Sequence, residues 1–144
     1  MGQFTIASMI TFIFILGSIL LKGKYISEVN LQKYIINIVV FSFSILCLTF
    51  FINNLTKNKF IINGIGIVLS LGTSFLSGVM VPQQLLSDKV LKIAKFFPTY
   101  YFVKINDMRV NSFLDVKAEI FMQLLFALAF LLLGLYFSRV SQKA

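Results

Sequence analysis

The chain is 144 residues long, 58% hydrophobic, 15% aromatic and 12% charged, with a formal net charge of +8. A composition this apolar, gathered into long uncharged runs, excludes a water-soluble domain and predicts a single integral membrane unit with no linker that would divide it. With no histidine, five acidic residues and one cysteine, there is no metal-ligating or clustered acid–base set, so an enzyme, a bound metal and a cofactor are not expected.

The expected fold is all-α: a polytopic bundle of about four spans, near residues 4–21, 34–52, 60–81 and 120–137, with an amphipathic or re-entrant segment at 83–97. The first run, Phe4 to Leu21, lacks the basic flank and small-x-small cleavage site of a secretory signal. Gly17 to Lys24 has glycines too far apart for a phosphate-binding loop, and Tyr25 follows its lysine where that loop needs Ser or Thr. The chain is therefore not expected to hydrolyse ATP by itself. In the second run, Tyr34 to Ile52, Asn37 is expected to face a neighbouring helix rather than lipid. Cys47 reads as a small buried hydrophobe. A short basic turn, Asn53 to Lys59, then predicts an antiparallel hairpin.

The third run, Phe60 to Val81, is uncharged over about 33 Å of helix. Gly66, Ser70, Ser74 and Gly78 recur every fourth residue along it and form a helix-packing seam, widened by Thr73 and Ser77. That pattern suits packing within the bundle or against a second subunit. Pro82 is expected to close this helix. From Gln83 to Phe97, Leu86, Val90, Ile93 and Phe97 fall on one helical face, and Lys89, Lys92 and Lys95 fall on another. An interfacial amphipathic helix is expected there, capped by Ser87 or Asp88 and ended by Pro98, with Tyr100, Tyr101 and Phe102 suited to the headgroup level. Before the last run lie Asp107, Arg109, Asp115 and Lys117, with Glu119 and Gln123 at its start; such charges near a membrane mouth read as solvated or mutually paired loop groups rather than as substrate contacts.

The stretch Gly72 to Arg109 resembles the segment joining the last two spans of ABC-2-type exporter permeases. In that family a helix ending in Phe, small residues and Pro is followed by an amphipathic stretch, then Pro and aromatics before the final span. The matching positions are Phe75, Leu76, Ser77, Gly78, Pro82, Pro98, Tyr100 and Tyr101. The likeness is strongest there and extends loosely over the chain, whose runs fall where the family has its last four spans.

The resemblance implies a permease component, or half permease, of an ATP-driven exporter. Its partners would be an ATP-binding-cassette ATPase subunit, a second permease chain or missing N-terminal half, and the lipid bilayer. It also implies that the long connection lies outside the cell, although that side carries nine of the thirteen basic residues and a positive-inside count points the other way. Abundant Ile, Asn, Lys and Phe suggest an AT-rich bacterial genome, hence a multi-pass protein of the bacterial cell membrane. Other readings are a small non-ABC pore or holin-like protein, an inactive permease remnant, or an anchoring subunit. No nucleic-acid role is expected, because the basic residues are spread over membrane-flanking positions.

Overall fold

A computed structural model describes residues 2–22, 31–108 and 113–143. Among these residues six α-helices follow in chain order: α1 (Gly2–Lys22), α2 (Leu31–Leu55), α3 (Lys59–Leu76), α4 (Asp88–Ala94), α5 (Pro98–Asp107) and α6 (Lys117–Lys143). Two single 3-10 turns, Gln83–Leu85 and Phe113–Val116, precede α4 and α6. The protein is all-helical, and no strand occurs among the described residues. Among the described residues three segments are long and apolar enough to cross a membrane: Gln32–Leu55, Lys59–Leu76 and Lys117–Arg139. In α1 the described apolar stretch is the shorter Ser8–Gly17.

The bundle is built on the α2–α6 pair, by far its most extensive contact. The inward residues of α2 include Lys33, Asn37, Ser44 and Cys47, and those of α6 include Ile120, Gln123 and Ala127, with Val116 in the turn just before it. Both sets step by three, four or seven residues, which keeps one stripe of each helix turned to its partner. Near the end of α6, Gly134 makes close approach possible. A Cβ there would lie 2.5 Å from Phe50 Cδ1 and 3.2 Å from the Phe51 Cα. Phe51 stacks near Phe130, with ring centroids 6.4 Å apart. Helix α5 packs against both members of the pair, placing Ile105 with Val116 and Ile120 in a small apolar core bordered by Ile36, Val40 and Met108. On the other side α1 leans on α2, where Thr11 Oγ1 donates to Ser42 Oγ at 3.0 Å.

The third span ends earlier than its apolar run. The helix stops at Leu76 because Gly78 takes φ +98°, a left-handed conformation open to glycine. The Val79 N–H then closes back on the Ser74 carbonyl at 3.1 Å, as in a Schellman ending. Gly78 is therefore a terminator and not the fourth member of a helical stripe, and Val79 to Val81 lie beyond the helix. Pro82 instead leads into the Gln83–Leu85 turn.

The expected amphipathic helix at 83–97 is also divided. Only Asp88–Ala94 is α-helical, with Ser87 at the cap position but without a side-chain capping bond. Pro98 opens a helix as well as following one: it occupies the first turn of α5, where its missing N–H costs nothing. Tyr100, Tyr101 and Phe102 thereby turn into the bundle instead of standing at its surface. Tyr100 is buried, Phe102 stacks on Phe41 at 4.3 Å, and Tyr101 lies 6.1 Å from Phe126.

Candidate functional site

Where α5 meets α2 and α6, a group of polar side chains comes together, part of it buried between the helices. Lys33, Asn37 and Ser44 come from one stripe of α2, Lys104 and Asn106 from α5, and Glu119 and Gln123 from successive turns of α6. Asn37, Ser44 and Gln123 are fully buried. In lipid such groups must find partners within the protein.

Asn37 is the centre of the arrangement. Its Nδ2 donates to the Phe102 carbonyl and to Asn106 Oδ1, each at 3.0 Å. Its Oδ1 accepts from Gln123 Nε2 at 2.9 Å. One amide thus joins three helices with both donor protons and its acceptor in use. Seven residues along α2, Ser44 Oγ shares its proton between the Val40 and Gln123 carbonyls at 3.0 and 2.9 Å.

The C-terminal end of α5 is anchored by the start of α2. Tyr34 donates its hydroxyl to the Asn106 carbonyl at 3.2 Å, and Lys33 Nζ donates to the Met108 carbonyl at 2.6 Å. The last carbonyls of a helix lack intrahelical partners and carry the negative end of its dipole, so a cation and a hydroxyl suit that place. On the other side Lys104 Nζ lies 2.9 Å from Glu119 Oε1. This hydrogen bond to Glu119 raises the Lys104 pKa above its ordinary value, outweighing the opposing effect of burial.

Two acceptors remain open within this cluster. Glu119 Oε2 and Gln123 Oε1 are buried without a hydrogen-bond partner. Four residues apart on α6, they lie on one helical face. The arrangement can fix α5 to the α2–α6 pair and accept a hydrogen bond from a polar guest. Among the described residues no group of acidic, cysteine or histidine side chains could hold a metal.

The residues singled out from sequence lie elsewhere. On α3, Gly66 and Ser70 line an open cleft of about 730 Å³, faced across the gap by Thr49, Ile52 and Asn53 of α2. Nothing lies within 4 Å of a Cβ built on Gly66. The stripe hydroxyls bond to their own helix: Ser74 Oγ donates to the Ser70 carbonyl at 2.7 Å, and Thr73 Oγ1 to the Leu69 carbonyl at 2.7 Å. No residue of α3 is buried.

Several positions of the Phe75–Tyr101 motif instead converge on Gln83. Its Nε2 donates to the Ser77 carbonyl at 2.8 Å and the Tyr100 carbonyl at 3.3 Å, and a Cβ on Gly78 would fall 2.5 Å from its Cγ. Phe75 points outward. Lys89, Lys92 and Lys95 are all exposed, as is Ile93, which was expected on the opposite face. Glu119, expected to be solvated or mutually paired, is buried and pairs with Lys104 of α5. Asp107, Asp115 and Lys117 are exposed, and Arg109 lies outside the described residues.

Neither a known protein family, nor a curated protein, nor a solved structure matches this chain.

Proposed function

We propose that the chain is a permease component of an ABC-2-type ATP-binding-cassette exporter, forming part of the transmembrane pathway. The observation that carries this reading is the order of elements between the last two long helices. A span ends in Phe75, Leu76, Ser77 and Gly78, Pro82 and the basic α4 follow, and Pro98 then opens an aromatic helix before α6. That is the layout for which the Gly72 to Arg109 stretch resembles the family. Gln83, binding carbonyls from both halves of the motif, gives its small residues and tyrosine a common structural reason.

In this reading α1 is a fourth span, the α4–α5 segment dips back into the outer face of a multi-pass cell-membrane protein, and the enclosed Asn37–Gln123 cluster fixes α5 beside the pathway. A separate ATPase subunit drives the shift between inward and outward states, and a second permease chain or missing N-terminal half completes the pathway. The chain itself carries no ATPase activity.

Co-purification from mild detergent in the native host, with a C-terminal tag, tests the proposal. Recovery of a stoichiometric nucleotide-binding subunit is expected. A stable preparation without any ATPase would sink the exporter assignment, and ion leakage on expression of the chain alone would favour a pore.

A further inference from the structure

Helix α4 sits just past the end of the α3 span and packs against it, so it lies at the membrane boundary when α3 is inserted. Only Ala94 of this helix is buried, with Val90 and Leu91 half-buried. The rest forms an outward surface. Lys89 and Lys92 are exposed there one turn apart, and Lys95 follows at the C-cap. The one acidic residue in this segment is Asp88.

Large apolar groups share the surface. Leu85 is 76% exposed, Ile93 53% and Phe96 74%. Ile93 lies four residues after Lys89, a spacing that puts it beside that lysine on the helix surface, and Phe96 follows in the turn just past the C-cap. The face is therefore basic and apolar together, unlike the two separate faces that the sequence pattern suggests.

We propose that this α4 face is a docking surface for anionic phospholipid headgroups. The apolar side chains enter the acyl boundary, and the lysines, whose stems lie along apolar surface, carry their ammonium groups to headgroup phosphates. Charge complementarity selects anionic over zwitterionic lipid, since each basic residue near the surface favours negative charge. A phospholipid supplies both the negative charge and the apolar cover, and it is present beside α3. The inference holds whatever the cargo and whether or not an ATPase assembles with the chain.

The test uses the full chain reconstituted into nanodiscs of equal phosphatidylcholine and phosphatidylglycerol, extracted in mild detergent, with retained lipid quantified by mass spectrometry. Wild-type protein is expected to retain phosphatidylglycerol over phosphatidylcholine by up to about a hundredfold at low salt, each lysine contributing on the order of fivefold. K89R/K92R/K95R should keep that preference, and K89Q/K92Q/K95Q should lose it. Circular dichroism checks that the variants remain helical, and the single K92Q substitution, with its smaller loss, serves should the triple variant misfold. I93S/F96S is expected to lower retention of both lipids alike. No preference in the wild type, or an undiminished preference in the glutamine variants, overturns the proposal.

Discussion

Gln123 of α6 donates a hydrogen bond to Asn37 of α2 at 2.9 Å across 86 residues of sequence, with both side chains fully buried. Asn37 in turn binds the Phe102 carbonyl and the Asn106 side chain of α5. Replacing either amide leaves an unmatched polar group in an apolar surrounding. Asn37→Leu and Gln123→Leu are each expected to destabilise the bundle by about 1–3 kcal/mol. Because the residues share one bond, the double variant should cost less than the sum, with a coupling of about 0.5–2 kcal/mol in a double-mutant cycle followed by unfolding in detergent. Strict additivity would show that the bond contributes nothing.

Close approach of α2 and α6 depends on Gly134. Gly134→Ala places a methyl group against the Phe50 ring and within 3.2 Å of the Phe51 Cα. The ring can rotate, but the backbone cannot move without separating the helices. A loss of about 1–3 kcal/mol is expected from such overpacking. Gly66→Leu, where nothing stands within 4 Å, should leave the stability of the chain within about 0.5 kcal/mol. Thermal unfolding of the two variants side by side makes the comparison. If Gly66→Leu nevertheless abolishes recovery of a partner chain, the α3 stripe is a subunit seam.

The end of α3 is set by Gly78. Its φ of +98° and the nearness of Gln83 disfavour any side chain there. Gly78→Ala should cost about 1–2 kcal/mol, whereas Pro82→Ala, outside the helix, should leave the helix end in place. Hydrogen exchange at the Val79 amide, which bonds to the Ser74 carbonyl, would report the difference. Equal protection in the two variants would contradict this assignment.

The Lys104–Glu119 pair gives a pH dependence whose sign follows from its cause. The Lys104 pKa is raised in the folded state by the bond to Glu119, so this stabilisation is complete below the ordinary lysine value of about 10.4 and is lost as pH rises through the higher folded value. Neighbouring Tyr101 also has a raised pKa, chiefly from burial. Its ionisation is resisted in the folded state, so it too removes stability as pH rises above its unfolded value of about 10. Melting temperatures measured upward from about pH 9 should fall in the wild type, less steeply in Tyr101→Phe, and least in Tyr101→Phe combined with Lys104→Met. An unchanged slope in the double variant would remove both groups from the account.

Much of the fold is legible in the chain because lipid reverses the usual amphipathic pattern. On an apolar helix the few polar residues mark the inward face, and Asn37 could be assigned to a helix contact on that ground alone. Lys33, on the same stripe, stands near a span end, where a lysine normally reaches water. Its Met108 carbonyl partner belongs to a segment that sequence proximity does not point to. For α3 the continuous apolar run concealed the break. Hydropathy sees no difference between Leu76 and Val79, while backbone conformation at Gly78 separates them. The regular stripe on α3 looked like the packing seam, yet the tight approach occurs at Gly134, a single glycine in a leucine-rich run that carries no periodic signal.

By itself the sequence determined an all-helical membrane protein, since runs of this length and polarity must satisfy their backbone hydrogen bonds internally when surrounded by hydrocarbon. It also determined where the prolines and lysines punctuate the connection between the last two long helices. Only the tertiary structure decided that Lys104 pairs with Glu119, that Asn37 meets Gln123, and that Tyr100 to Phe102 turn inward. Those choices depend on how each helix rotates about its own axis. Leucine, isoleucine and phenylalanine are nearly equivalent toward lipid, so rotation is fixed by the shape of the neighbouring helices and by the few polar groups that must meet.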